Sequence, residues 1–517
     1  MLSIKMKHVM AVAVMWSASL MTVGAVDHAP VGWHKEYNDS CQGVNLDKAL
    51  SYLKSRKLKP RHEIIVGVID SGIDTASIDL KPALWTNPGE RPDGKDTDGN
   101  GYADDLHGWN FLGTKDGSFN MTSAGTEEFR EFKRLYPKYK DADSATVADR
   151  AEYDYYRLMR RKAGIDSYIM MAAYTARKGD CYRLIDSIGH AAFPEKMDTV
   201  TVTHMASLLS EEENLEMSFQ AILPDIMRQG KGVTWAALYD KHRKDLALMQ
   251  SRLDGIEKNP DKRLLMGDDL KNASDIHYGN SCLDVEGCEH GTFVAAVIAG
   301  QGLGELNCSG VFPQAKVMIL RAAPEGDEYD KDIATAIRYA VDNGAKVVNM
   351  SIGKTCSPDS AMVSDAVKYA LAHDVLLLQA AGNSHKDIDA TPYFPTGRDR
   401  TGVKYENYMR VGASDIAGAP AGMSNYGRNE VDVFAPGVDI RSTTVGNTYM
   451  YADGTSVACP VASGVAALIR AYFPKLKARE VKDILVKSCR RSDALGGMSR
   501  GGGVIDAFEA VKLASTY

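Results

Sequence analysis

Past residue 25 the sequence holds no stretch of about 18 uninterrupted apolar residues, the minimum for a membrane-crossing helix, which excludes a polytopic membrane protein. It also lacks a basic excess. Its 61 Lys and Arg stand against 68 Asp and Glu, a formal net charge of -7, whereas a general nucleic-acid binder needs clustered cations to displace counterions. There is no CxxC pair, no His/Cys spacing of a structural zinc site, no internal repeat and no low-complexity tail. What remains is an ordinary soluble composition, 44% hydrophobic and 25% charged, on 517 residues. That length suits one large α/β domain with an insertion, or several ordinary domains.

The N-terminus reads as an export signal over residues 1–25. Lys5 and Lys7 precede an apolar stretch from Val9 to Val23, and Val23, Gly24 and Ala25 offer small residues for cleavage. The alternative is an uncleaved anchor helix, for which the stretch is short and interrupted by Ser17 and Ser19. The expected location is therefore exported: periplasmic, cell-surface or extracellular. All eight cysteines fall after this segment, and export permits disulfides. Cys282 and Cys288, which close a small loop before His290, are the best candidate pair.

Residues 26–60 look like a short polar lead-in with one helical pattern at Leu46–Leu58. The run Ile64–Ile69 has no polar alternation, as in a strand buried on both faces of a parallel sheet, and it ends at Asp70. Between 119 and 281 the character changes to charged helical patterns, such as Trp235, Leu238, His242, Leu246, Met249 and Leu253, which reads as an all-helical insertion. After His290, strand and helix patterns alternate, and repeated βα units imply a parallel sheet covered by helices on both faces. The expected organisation is one α/β domain from 61–118 and 282–517, interrupted by the insertion.

Three residues at element boundaries carry the chemistry. Asp70 follows the buried strand in Asp70-Ser71-Gly72. His290-Gly291-Thr292 opens an apolar helix, and Gly454-Thr455-Ser456 opens another. Singly each has a bland reading: a turn Asp, a structural His, a Ser that caps its helix. Together they supply a hydroxyl nucleophile, an imidazole to take its proton, and a carboxylate to orient the imidazole. An α/β-hydrolase would need Gly-x-Ser-x-Gly, but position 458 is Ala and Ser456 comes last in the chain. Cys459 lies inside the helix turn and reads as a buried small residue.

With Ala380-Ala381-Gly382-Asn383-Ser384 after a further strand, these blocks resemble the four signatures of subtilisin-like serine peptidases, in that family's order of Asp, His and Ser. The resemblance covers about residues 60–118 and 282–512. It departs at Phe293, Ala296 and Val457, where His, Gly and Met are common in the family. It implies a subtilisin-like three-layer α/β fold with a parallel sheet between helices. It also implies peptide-bond hydrolysis through an acyl-enzyme on Ser456, with the Asn383 side chain and the Ser456 N–H as oxyanion donors. Ser351, Ile352 and Gly353, following a strand whose edge pairs with an extended peptide, would line the specificity pocket with Ala380, Ala381 and Gly382. No acidic residue is recognisable at the pocket floor, which points to uncharged or apolar side chains before the scissile bond.

Asp96, Asp98, Asn100, the Tyr102 carbonyl and Asp104 place oxygens at alternate positions around a Gly turn, similar to the start of an EF-hand loop, so calcium is the expected metal. Position 107 is His, so the usual twelfth-position Glu is absent. The expected partner is a protein or peptide substrate. Two other readings stay open: a non-catalytic peptide-binding module on the same fold, and a peptidase whose insertion is a partner-binding domain.

Overall fold

The unbroken apolar run before Asp70 forms a central strand of the computed structural model, which describes residues 28–194, 196–206, 213–230, 232–259, 261–304 and 308–517. The expected export signal at 1–25 lies outside the described residues. In chain order the strands are β1 (Ile65–Asp70), β2 (Gly108–Asn110), β3 (Ser123–Gly125), β4 (Lys316–Arg321), β5 (Glu325–Gly326), β6 (Val347–Met350) and β7 (Leu376–Ala380). They continue with β8 (Tyr408–Ser414), β9 (Val433–Pro436), β10 (Ile440–Thr444), β11 (Thr448–Ala452), β12 (Arg490–Arg491) and β13 (Gly503–Val504). Nine of them form one sheet in the order β12-β13-β9-β8-β7-β6-β1-β4-β2. Every pairing is parallel except the edge pair β12–β13.

The strands alternate between two apolar layers, which is why their sequences show no polar face. Val66, Val68, Val317, Ile319, Val347 and Leu378 join one core with the helices Glu289–Ala299 and Thr455–Tyr472. Ile69, Met318, Leu320, Val348, Met350 and Leu377 join the other with Asp330–Asp342 and Ser360–Ala372. Each fully buried Val, Ile or Leu contributes about 1.5–3 kcal/mol by leaving water, so the six-residue β1 is held mainly by its two faces. The fold is therefore the expected three-layer α/β arrangement. Among the described residues the one helix long and apolar enough to cross a membrane is Thr455–Tyr472, and it is a core helix here.

The segment before β1 is more than a polar lead-in. Trp33, Val44, Leu46, Ala49 and Leu53 are buried in the first core, where helix Leu46–Ser55 packs on the last helix, Ala507–Ala514. Between β3 and residue 281 the chain is dominated by helices, Glu127–Tyr139, Arg150–Lys162, Ile165–Ala192, Val202–Ala206, Glu213–Gln229 and Trp235–Lys258. One apolar cluster, including Tyr182, Ile222, Trp235 and Leu238, is internal to these helices. A second, around Phe132, Tyr156 and Met159, takes in Cys356 from the α/β part. The segment is not purely helical, since β3 pairs in parallel with β5. It returns at Asn280, which bridges Asn110 at the end of β2.

Neither Cys282 nor Cys288 takes part in a disulfide, so the expected Cys282–Cys288 pairing is corrected. Cys288 is buried, its β-carbon turned towards Gly72, while Cys282 is exposed to solvent. The small loop between them does not bring the two sulfurs together.

Candidate active site

Asp70 stands at the carboxyl end of β1, beside β6, where the chain switches from building one side of the sheet to the other. Open parallel sheets gather ligand-binding residues at such a point. Asp70 is 1% exposed, and its Oδ1 accepts the N–H of Ser71 at 2.7 Å and lies 2.7 Å from His290 Nδ1. Its Oδ2 takes no hydrogen bond from a described residue. The nearby Asp70 carboxylate raises the His290 pKa above its usual 6.5 against the opposing effect of desolvation, with a smaller push from Glu328. The imidazole itself is about half exposed and opens to solvent.

The remaining letters of the two motifs explain how that contact is made. The Gly291 N–H donates to Ser71 Oγ at 3.1 Å, so Ser71 satisfies one of the free donors at the helix start. Thr292 Oγ1 donates to the Cys288 carbonyl and accepts the N–H of Asp74 at 2.9 Å. A β-carbon on Gly72, whose φ is +110°, would stand 2.4 Å from the Leu283 carbonyl oxygen, so glycine alone fits.

Ser456 occupies the first turn of its helix, partly exposed, while the residues around it are buried. Asn383 Oδ1 accepts both the N–H and the hydroxyl of Thr455, each at 2.9 Å, which turns its amide nitrogen the other way. A β-carbon built on Gly454 would lie 3.0 Å from Ser456 Oγ and 3.3 Å from Asn383 Nδ2, so the hydroxyl and the amide border one small space. Thr455 also takes the Gly382 N–H at 2.9 Å, locking the two loops together. Below them Ser463 bonds Asn349, Asn349 bonds Ser351, and Ser351 bonds the Ser456 carbonyl at 2.7 Å. Cys459, one turn on, is fully buried; desolvation raises its thiol pKa, and the Asp70 carboxylate adds to the rise.

Ser351, Ile352, Ala380, Ala381 and Gly382 are buried and Gly353 partly so, on the neighbouring ends of β6 and β7. Asn425 braces the second segment, donating to the Ala381 carbonyl and accepting the N–H groups of Ser384 and Lys386. Phe293, Ala296 and Val457, the departures from the family pattern, are core residues.

Sequence reasoning missed a charged cluster next to Gly353. Lys354, 2% exposed, places its Nζ on the Glu127 carboxylate at 2.6 Å, on Asp330 at 3.0 Å and on the Glu328 carbonyl at 2.6 Å. Arg130 bonds the carbonyls of Asp327 and Glu328. Glu328 is 6% exposed, its Oε2 meets no described partner, and burial pushes its carboxyl up to about 7. No spacing in the sequence ties Glu127 to Lys354.

In the acidic loop, Glu90, Asp98 and Asp105 bring carboxylate oxygens within 4.8 Å of one another. Asn87 and Asn100 both donate to Asp98 and Asp105. Burial raises the Asp105 pKa above the usual carboxylate value. Of the five expected ligands only Asp98 belongs to this trio. Asp96 accepts the N–H groups of Gly99, Asn100 and Gly101, and Asp104 takes that of Gly94. Tyr102 is buried among Trp109, Phe111 and Tyr339. An all-oxygen carboxylate set fits a hard cation such as calcium.

The sequence model described as the subtilase family matches residues 61–504. The thermophilic serine proteinase of Bacillus sp. (strain AK1) is 34% identical over 236 residues, 46% of this chain and 54% of that protein, so the match spans about half of the relative. The M-protease of Shouchella clausii (strain KSM-K16) is 31% identical over 324 residues, 62% of this chain and 77% of the relative. Among solved structures, the protease domain of PatA is 27% identical, covering 45% of this chain and 82% of that one, with a TM-score of 0.38.

Proposed function

Because the chain belongs to the subtilase family, we propose that it is a secreted serine endopeptidase with Asp70, His290 and Ser456 as its triad. Neutral His290 takes the Ser456 proton on Nε2 as Oγ attacks the scissile carbonyl carbon. Asp70 holds the Nδ1–H tautomer and stabilises the imidazolium. Asn383 Nδ2 and the Ser456 N–H hydrogen-bond the resulting oxyanion. Collapse of the intermediate expels the amine, which receives the proton from His290. Water then cleaves the acyl ester by the same steps in reverse.

The reading is supported by the 2.7 Å contact that orients His290 on Asp70, together with the Ser456 hydroxyl and the Asn383 amide, which share one space beside Gly454. Export is part of the proposal and is supported by the basic and apolar pattern of residues 1–25. The test is hydrolysis of casein and of a short chromogenic peptide, with both activities lost in Ser456→Ala.

Ser351–Gly353 and Ala380–Gly382 are proposed as the pocket walls. A calcium ion held by Glu90, Asp98 and Asp105 belongs to the same reading, with a structural role: it would cross-link the loop and offset the repulsion of the three carboxylates. The mainly helical segment 119–281 is proposed to control access to the groove. Its first helix supports this, since Glu127 and Arg130 bond the two segments bordering Gly353 and Glu328.

A further inference from the structure

Between the two proposed pocket walls the space is filled. A β-carbon on Gly353 would lie 2.5 Å from Tyr393 Cε1 and 2.6 Å from both Cζ and Oη. One on Gly382 would lie 2.7 Å from Tyr393 Cζ and 2.9 Å from Oη. The hydroxyl end of the phenol therefore touches both walls, and each wall accommodates it only as glycine. On that wall assignment, the ring stands where the side chain preceding the scissile bond would enter.

Tyr393 is also firmly mounted. Arg410, 2% exposed, donates to the Tyr393 carbonyl at 3.1 Å and also bonds the Pro395 carbonyl and Gln379. The next residue, Phe394, exchanges backbone hydrogen bonds with Lys354 at 2.8 and 3.1 Å, directly after Gly353. The Arg410 guanidinium lies 6.0 Å from the centre of the Tyr393 ring. Backbone and ring are thus tied to the same strand ends that build the pocket.

We propose that Tyr393 is a specificity-determining residue that closes the pocket to large side chains, so that this enzyme cleaves after Gly, Ala or Ser. This rests on the peptidase reading and on the assignment of the two wall segments. It narrows the uncharged or apolar preference expected from sequence to small residues. A second aromatic ring cannot share a slot whose walls already touch a phenol, whereas a methyl or hydroxymethyl group needs little depth.

The experiment is a peptide series that differs only in the residue before the scissile bond, Ala, Ser, Leu or Phe, with kcat/KM measured for wild type, Tyr393→Phe and Tyr393→Ala. Wild type is expected to prefer Ala and Ser over Phe by about 100-fold or more, since even one methylene changes discrimination by ~10–200-fold. Tyr393→Phe, which keeps the ring, should retain that ranking. Tyr393→Ala should raise Phe and Leu relative to Ala by at least about tenfold. Equal wild-type cleavage after Phe and Ala overturns the proposal whatever the variants do, and so does an unchanged ranking in folded Tyr393→Ala. Fluorophosphonate labelling of Ser456 separates the two levels. A labelled enzyme that cleaves after large residues refutes the pocket assignment alone, whereas an unlabelled and inactive one refutes the peptidase reading and this inference with it.

Discussion

Gly291 approaches Gly72 so closely that a β-carbon on Gly291 would stand 2.0 Å from the Gly72 carbonyl oxygen. The obstacle is backbone, so it cannot swing aside as a side chain would. This contact seats the His290 helix against the end of β1 and sets the 2.7 Å Asp70–His290 bond. Gly291→Ala should push the helix off the strand, costing about 1–3 kcal/mol as an overpacked core does, and should lower kcat/KM by at least about tenfold. Thermal melts and peptide kinetics together test this, and unchanged activity would mean that the contact does not set the geometry.

Activity should depend on pH through His290. The imidazole must be neutral to accept a proton, and Asp70 raises its pKa, so kcat/KM should rise with pH through a value above 6.5. Stability runs the other way. The pair's contribution is fully present below 6.5, the unfolded value, and is lost as pH rises through the raised folded value. Asp70→Asn should move the activity limb downward and reduce turnover by about 10⁴, the scale for a triad left with the wrong tautomer. A pH–rate profile of both proteins checks the direction, and a limb that stays in place in Asp70→Asn would contradict it.

Calcium should raise the melting temperature through Glu90, Asp98 and Asp105. At 100 times Kd a ligand bound only by the folded state adds about 2.7 kcal/mol. Asp98→Ala should abolish most of the response. Asp96→Ala should remove turn hydrogen bonds and lower the melting temperature while preserving the rise with calcium. The opposite result would restore the ligand set read from the EF-hand-like spacing.

Glu328 makes a prediction of unusual sign. Its folded carboxyl is pushed up from 4.5 to about 7, so the folded protein keeps a proton that the unfolded chain releases. Stability from this group is full below 4.5 and falls as pH rises towards 7, by on the order of 3 kcal/mol. Glu328→Gln should therefore melt higher than wild type at pH 8 and show little advantage at pH 4. An equal difference at both pH values would mean that the carboxyl is not held protonated.

The elements legible in the sequence were those with one dominant signal. Val66 and Val68 in an unbroken apolar run located β1, and the Gly-Thr-Ser block located the Ser456 helix. The motifs also held their own supports, because Ser71, Thr292 and Thr455 are the residues that tie the loops together. What stayed hidden depends on contacts between distant segments. Lys354 meets Glu127 across 227 positions, and Tyr393 reaches Gly353 and Gly382 from a loop without periodicity. The helical pattern at Leu46–Leu58 was legible, but nothing in a short polar segment marked Leu53 or Trp33 as part of the main core, which the helix Leu46–Ser55 joins by packing on Ala507–Ala514. In the acidic loop the spacing pointed to Asp96 and Asp104, whose oxygens also accept the loop's own N–H groups, whereas the trio of Glu90, Asp98 and Asp105 forms only once the loop is folded.

The central claim is that Ser456 is a hydroxyl made nucleophilic by His290. It is tested most directly by treating the full protein with a fluorophosphonate and locating the adduct by peptide mass spectrometry. Wild type should carry one adduct, on Ser456, with none in Ser456→Ala and almost none in His290→Ala. A folded wild-type protein that takes no label on Ser456, or a His290→Ala variant that labels at the wild-type rate, would contradict the account.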